Sequence, residues 1–400
     1  MTLEQLGGDV IDVRESTVGD AASNGRGPGG RRPPGRRRQP LRPRELTTGD
    51  YGLLVGSMIS SVCLCWLLLD RIASGVSSFG FFVLWYLGFL AIFAAVTADR
   101  HGRLVAVDRV MTVVMISGGI AVLVPLVFLV GYIVVEGIRA LRLTFFFHDQ
   151  AGITPQMPAT AGGGAHALVG TLEQVGLALV WSLPLGLAAA VFLNESRSKW
   201  RRPVRIFVDA MSGLPSILAG LFIFAVFILP YAHTAAIFGF NGFMASLALA
   251  LIMLPTITRT VEVVLRLVPD GLREASLAMG SSRARTTWSV VFPTARTGIT
   301  TAVVLGIARA VGETAPLLFT AFGYDLMNTN PFAHPQSSLP LFIWENIRKP
   351  DPAAIARGYT GALVLMALVL ALFVLARIIG RDRSKRARSR RLPSLRRTTT

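Results

Sequence analysis

Charge is scarce in this chain of 400 residues: 16% are Asp, Glu, Lys or Arg, against 52% hydrophobic. A soluble domain carries about a quarter charged residues, so the composition excludes an ordinary water-soluble enzyme. Cysteine is nearly absent. Cys63 and Cys65 are the only two; two apart on a helix they point to different faces, which suits packing or lipid contact and excludes a disulfide scaffold. The five histidines, His101, His148, His166, His233 and His334, form no short-spaced pair, so no metal site is expected. There is no Gly-Lys dipeptide and hence no P-loop; no cofactor is expected in this chain. Lysine occurs only at Lys199, Lys349 and Lys385, so arginine carries nearly all of the formal net charge of +17.

What is present in abundance is apolar runs near twenty residues, the length that spans a bilayer. Eight are expected: Tyr51–Leu69, Gly75–Thr97, Val110–Val135, Ala167–Leu193, Ile206–Leu229, Gly242–Val264, Gly298–Ala321 and Tyr359–Ile379. The fold class is therefore an all-α integral membrane protein with about eight transmembrane helices. The basic residues concentrate at the ends, with eight arginines in 26–44 and nine basic residues in 381–397. Both tails, 1–48 and 381–400, read as disordered and cytoplasmic, held by the positive-inside rule rather than by nucleic acid. The loops with Arg100, Arg103 and Arg109, with Arg197–Arg205, and with Arg266–Arg296 are richer in arginine than the alternate ones. That pattern predicts both termini on the cytoplasmic side of a bacterial plasma membrane. The remaining chain divides into three N-terminal helices over 49–136, an outside loop over 137–165 and a core over 166–380. Aromatics in the outside segments, such as Phe145–Phe147, Phe332, Phe342 and Trp344, suit either an interfacial belt or a docking surface.

The loop after Val264 is charged yet patterned. Leu272, Ala275, Ala278 and Met279 share a helical face, Gly280 supplies a stop, and Trp288–Phe292 is a second apolar stretch that Pro293 is expected to end. Glu274-Ala275-Ser276, three residues, Gly280, nine residues, Val290, one residue, Phe292-Pro293 resembles the EAA loop of ABC importer permeases. The family pattern is EAA, three residues, G, nine residues, I-x-L-P. Ser276, Val290 and Phe292 depart from it in identity but not in spacing. The resemblance implies that Glu274, Ala275, Ser276, Gly280 and Pro293 couple the chain to a separate ATPase.

In the seventh span, Arg309 and Glu313 lie four apart. On a continuous helix they share a face and pair. A charge at bilayer depth costs about 2.5–3.5 kcal/mol or more, so the pair reads either as a charged translocation site or as an ion pair that locks helices together. Arginine suits an oxyanion because its planar donors bind bidentately. Thr314 and Pro316 follow. The fifth span is interrupted by Gly213-Leu214-Pro215-Ser216; such breaks often line a substrate path, which adds Ser212 and Ser216 to Arg309, Glu313 and Thr314 as pathway residues. Pro184 and Pro255 are expected to repeat the break.

Two stretches, RAVGETAPLLFTA from Arg309 and GLPSILAGL from Gly213, resemble phosphate-transport permeases of the PstA type. The resemblance covers about 163–379. It implies a MetI-like type I ABC importer permease core preceded by extra N-terminal helices. It further implies a second permease of the PstC type, ATPase subunits of the PstB type that bind ATP and Mg, and an external phosphate-binding protein of the PstS type. A permease for molybdate or sulfate, or an ion-driven secondary transporter, are the alternative readings.

Overall fold

The computed structural model describes residues 48–72 and 78–380. The basic tails, apart from Thr48, and the start of the second expected span lie outside the described residues. Among the described residues there is no β-strand, only an isolated bridge between Phe322 and Gln336. Compactness divides the chain within its third helix, between Ile116 and Ser117.

The first unit holds α1 (Thr48–Ile72), α2 (Ser78–His101) and the start of α3 (Arg103–Ala140). Ser61 Oγ of α1 donates to Trp85 O of α2 at 3.1 Å. A run of rings, Phe82, Trp85, Phe89 and Phe93, stacks along α2 at helical spacing. Cys65 is buried and Cys63 exposed, as their spacing predicts.

The second unit contains α4 (Ala165–Glu195), α5 (Arg201–Ser212), α6 (Ser216–Ile223) and α7 (Leu229–Tyr231). It continues with α8 (Gly242–Arg266), α9 (Asp270–Ala278), α10 (Arg283–Thr286) and α11 (Phe292–Val311). The last elements are α12 (Ala315–Leu318), α13 (Leu339–Ile347) and α14 (Pro352–Gly380). α8 is the central post. Its buried face, from Ala245 through Met253 and Ile257 to Leu265, is the spine of the main core. Two glycines let neighbours close on it: a Cβ at Gly186 of α4 would lie 2.9 Å from Ile257, and one at Gly306 of α11 would lie 2.8 Å from it. Close backbone approach of this kind is how helices associate where lipid removes the hydrophobic driving force.

Among the described residues six helices are long and apolar enough to cross a membrane: α2, α3, α4, α8, the rod Arg283–Val311 and α14. A seventh crossing arises only if a bent pair counts as one span, and α1 has a shorter apolar stretch, Tyr51–Leu67. The fifth span is broken at the expected interruption: Arg201–Ser212 and Ser216–Tyr231 meet at 105°. Pro215 cannot donate a backbone hydrogen bond and its neighbour Gly213 weakens the helix before it. The seventh span ends early. α11 stops at Val311, with Gly312 as its cap, and Pro316 falls in the first turn of α12, where a missing N–H costs nothing. In contrast, α4 and α8 run unbroken through Pro184 and Pro255. In α8, Thr258 Oγ1 donates to Leu254 O (2.8 Å), one of several threonine hydroxyls bonded to the preceding turn.

A charged helix face and a protruding elbow

The loop after α8 folds as a helical elbow. Leu267 caps α8, α9 starts at Asp270, and Gly280 turns the chain with φ +83°, a left-handed value that costs a side-chain-bearing residue roughly 1–2 kcal/mol. Ser282 caps α10 by accepting from Arg285 N at 3.3 Å. Ser276, at the position where the resembling loops have a second alanine, is buried, and its hydroxyl meets Thr286 Oγ1 at 3.0 Å. That bond pins α9 to α10. Arg273 ties the elbow to the bundle: its guanidinium pairs with Glu195 at the end of α4 and donates to Leu265 O of α8 at 2.7 Å.

Pro293 does not end a helix here. The turn Thr287–Val291 is a π-helix in which Phe292 N donates to Thr287 O. The wider turn relieves the clash between a proline ring and the carbonyl four residues earlier. The helix therefore continues from Arg283 to Val311, a rod of about 43 Å at 1.5 Å per residue.

The apolar face of α9 predicted from the sequence points outward. Leu272 is 44% and Met279 82% exposed, Ala275, Ala278 and Glu274 are exposed as well, and Trp288, stacked on Phe292, is 70% exposed. Apolar surface is thus gathered on one small protrusion, a feature common at contact sites.

At the far end of the rod the expected Arg309–Glu313 pair is not made. Because α11 ends before Glu313, the two side chains do not share a helix face. Arg309 is exposed and donates instead to Thr256 Oγ1 of α8 at 3.1 Å, and Glu313 is half-buried in the turn between α11 and α12. The two sequence stretches singled out for this region do meet. α6, which Ser216 begins, packs on α12, which Thr314 precedes. A Cβ at Gly220 would fall 2.5 Å from Pro316 Cα. The Ser212 hydroxyl donates to Val208 O at 3.0 Å, as the Thr256 hydroxyl does to Ile252 O at 3.4 Å.

Sequence reasoning missed the most heavily charged centre. Glu262 of α8 is 2% exposed. It accepts from Arg205 of α5 (2.5 Å), from Arg259 (2.7 Å) and from Arg266, and Arg259 also pairs with Asp209 of α5. The signal was legible: Arg259, Glu262 and Arg266 stand three and four apart, the spacing of helix-surface ion pairs.

The opposite end of the core is closed by polar bonds. Arg357 of α14 donates to four carbonyls, those of Thr154, Pro155, Met157 and Pro158, at 3.0–3.2 Å. Gln336 bridges Glu173 (2.5 Å) and Asn328 O (3.1 Å), and Asn328 donates to the carbonyls of Ala333, His334 and Pro335. Burial pushes the Asp149 carboxyl up, but the N–H groups of Met327 and Ala151 and nearby His166 outweigh it and hold it below the usual range. Burial, then Asp325, pushes Glu345 up despite Lys349. Among the described residues no three His, Cys, Asp or Glu side chains converge as a metal site.

Several known proteins are similar to this chain in sequence. Residues 182–385 match the family model of the binding-protein-dependent transport system inner membrane component. The phosphate transport system permease protein PstA 1 of Mycobacterium tuberculosis H37Rv is 38% identical over 290 residues, 72% of this chain and 90% of that protein. The PstA of Mycobacterium leprae is 40% identical over 266 residues, 66% of this chain and 84% of its own length. The PstA of Yersinia pestis is 36% identical over 253 residues, 62% of this chain and 80% of its own. A solved inward-facing MetNI methionine ABC transporter overlaps 54% of this chain and 91% of its own, with 22% identity and a TM-score of 0.42.

Proposed function

Since the chain belongs to the family of binding-protein-dependent transport inner membrane components, as a relative of the PstA permeases, we propose that it is the membrane-spanning permease subunit of an ATP-driven phosphate importer. It is a transport component rather than an enzyme. On this reading it forms the translocation path with a second permease of the PstC type. It receives phosphate from an external binding protein of the PstS type, and PstB-type ATPase subunits bind ATP and Mg in its place. Both termini lie in the cytoplasm, as the arginine-rich loops suggest.

The observation that carries the reading is the elbow. Its apolar side chains are exposed while its turn and its internal bonds are fixed. A partner gripping Met279, Trp288 and Glu274 pushes a stiff lever. Arg273 delivers part of that push to the ends of α4 and α8. The continuous rod delivers the rest over about 39 Å, from Arg283 to Arg309. There the helix stops, at a break packed against α6. Arg309, held by Thr256 with most of its donors free, is suited to meet an oxyanion in the path. Glu313, Thr314 and Ser216 sit around that break as pathway residues, whereas Glu274, Ala275, Ser276, Gly280 and Pro293 serve coupling.

The test is reconstitution of the chain with its co-purifying partners in proteoliposomes. Expected is ATP-dependent uptake of radiolabelled phosphate that excess molybdate or sulfate does not suppress. Arg309→Ala should abolish uptake and leave the complex assembled. Uptake without ATP, or preferential uptake of another oxyanion, rejects the reading.

A further inference from the structure

The Glu262 cluster is more than a helix lock requires. Thr256, Arg259, Val263 and Arg266 recur at three- and four-residue steps, so they share one face of α8. This chain leaves that face uncovered: Val263 is exposed, Arg266 is exposed and Arg259 half-buried. Arg309 is bonded to Thr256 at one end of the face. Ten residues further along, about 15 Å, Arg266 marks the other end, next to the elbow.

Three guanidiniums, from Arg205, Arg259 and Arg266, converge on Glu262, and Asp209 meets one of them. Three positive charges against two negative leave one positive charge in surplus. One arginine would satisfy a buried carboxylate. Three bring about fifteen N–H donors, most of which have no acceptor within the cluster. Arg205 Nε is buried with no partner at all. Unspent donors in fixed planar forks, beside an open face of surplus positive charge, are the chemistry that holds a phosphate group.

We propose that Arg205, Arg259 and Arg266 form a second oxyanion station for a phosphate group, one step along α8 from Arg309. Glu262 is its fixed counter-ion. It holds the three guanidiniums together without anion, and its negative charge keeps occupancy weak, so that a bound group leaves. This deepens the transport reading above, from which it takes the identity of the free anion. The phosphate group comes either from inorganic phosphate in the path or from a lipid headgroup against the exposed face of α5.

The experiment reads binding to the full-length chain directly. Purified protein is placed in nanodiscs of phosphatidylcholine and titrated with inorganic phosphate. Labelling of Arg259 and Arg266 by phenylglyoxal is followed by mass spectrometry. Phosphate is expected to slow labelling at both residues. In Arg205→Gln the half-protecting concentration is expected to rise about tenfold, the factor for one lost charge-assisted contact. If that variant does not fold, Arg266→Gln, at an exposed position, carries the same test read at Arg259. Protection in phosphatidylglycerol nanodiscs with no added phosphate assigns the group to a headgroup. No protection in either lipid, or equal protection in wild type and variant, overturns the station. Protection by phosphate in a chain whose reconstituted complex moves none would leave the station standing and reject the transport reading instead.

Discussion

The two ends of the core are finished in opposite ways. At the loop end, Arg357, Asn328, Gln336 and Asn241 direct their donors into carbonyls and a carboxylate of the same chain. At the elbow end, Met279 and Trp288 stand in the open, and three arginines crowd one buried carboxylate beside an uncovered helix face. Buried polar groups need partners wherever they sit, and at the loop end most of the long-range ones come from the chain itself. Exposed apolar side chains cost little locally but gain from being covered. One end is held mainly by bonds within the chain, and the other leaves apolar side chains and an arginine-lined helix face exposed.

That contrast can be broken most forcefully at Arg357. Replacing it with Ala strands four carbonyls, and the loss is expected to be about 3 kcal/mol, seen as a lower melting temperature of the chain in detergent. An unchanged melting curve would mean that the closed end does not depend on its clamp. At the elbow, Met279→Asp with Trp288→Glu should leave melting within about 0.5 kcal/mol of wild type while costing about 2 kcal/mol or more of partner affinity. Retained ATPase co-purification would remove the docking role. Between these lies the stiffness of the elbow. Gly280→Ala and Ser276→Ala should each cost about 1 kcal/mol. Both should lower uptake per ATP hydrolysed more than they lower ATPase binding; equal losses would argue that the lever is only a handle.

The smallest effect is one of pH. Glu345 has a raised pKa because of burial and Asp325, so the folded state holds its proton more tightly than the unfolded chain does. Its ionisation then lowers stability as pH rises between the unfolded value and the raised one. Glu345→Gln should therefore stabilise the chain at neutral pH by under about 1 kcal/mol, with the gain vanishing in acid. Asp149 runs the other way. Its pKa is lowered, its contribution is full above the unfolded value, and it is lost as pH falls towards the folded one. Asp149→Asn should remove that acid sensitivity in a melting series.

Much of this was legible without coordinates. Six of the eight apolar runs expected to cross correspond to helices long and apolar enough to do so, because span length follows from bilayer thickness. Gly280 announced its turn, since the left-handed region is open to few other residues. What failed were inferences that treated proline alone as punctuation. Pro293 and Pro255 lie within continuous helices, Pro293 after a π-turn and Pro255 among threonines bonded to the preceding turn, while Gly312 with Pro316 ended one at Val311 rather than at the expected Ala321. The Arg309–Glu313 pair failed for the same reason, since four-residue spacing means contact only on an unbroken helix.

Composition and spacing by themselves determined an all-helical membrane protein, its elbow and an arginine within an apolar helix. These follow from local rules: apolar length, helical period and the backbone freedom of glycine. Only the tertiary structure decided that Arg309 answers to Thr256, that Ser276 pins the elbow through Thr286, and that Arg205 crosses from α5 to Glu262. Those partners lie 53, 10 and 57 positions apart in the chain, and helix crossing rather than sequence distance sets which side chains meet.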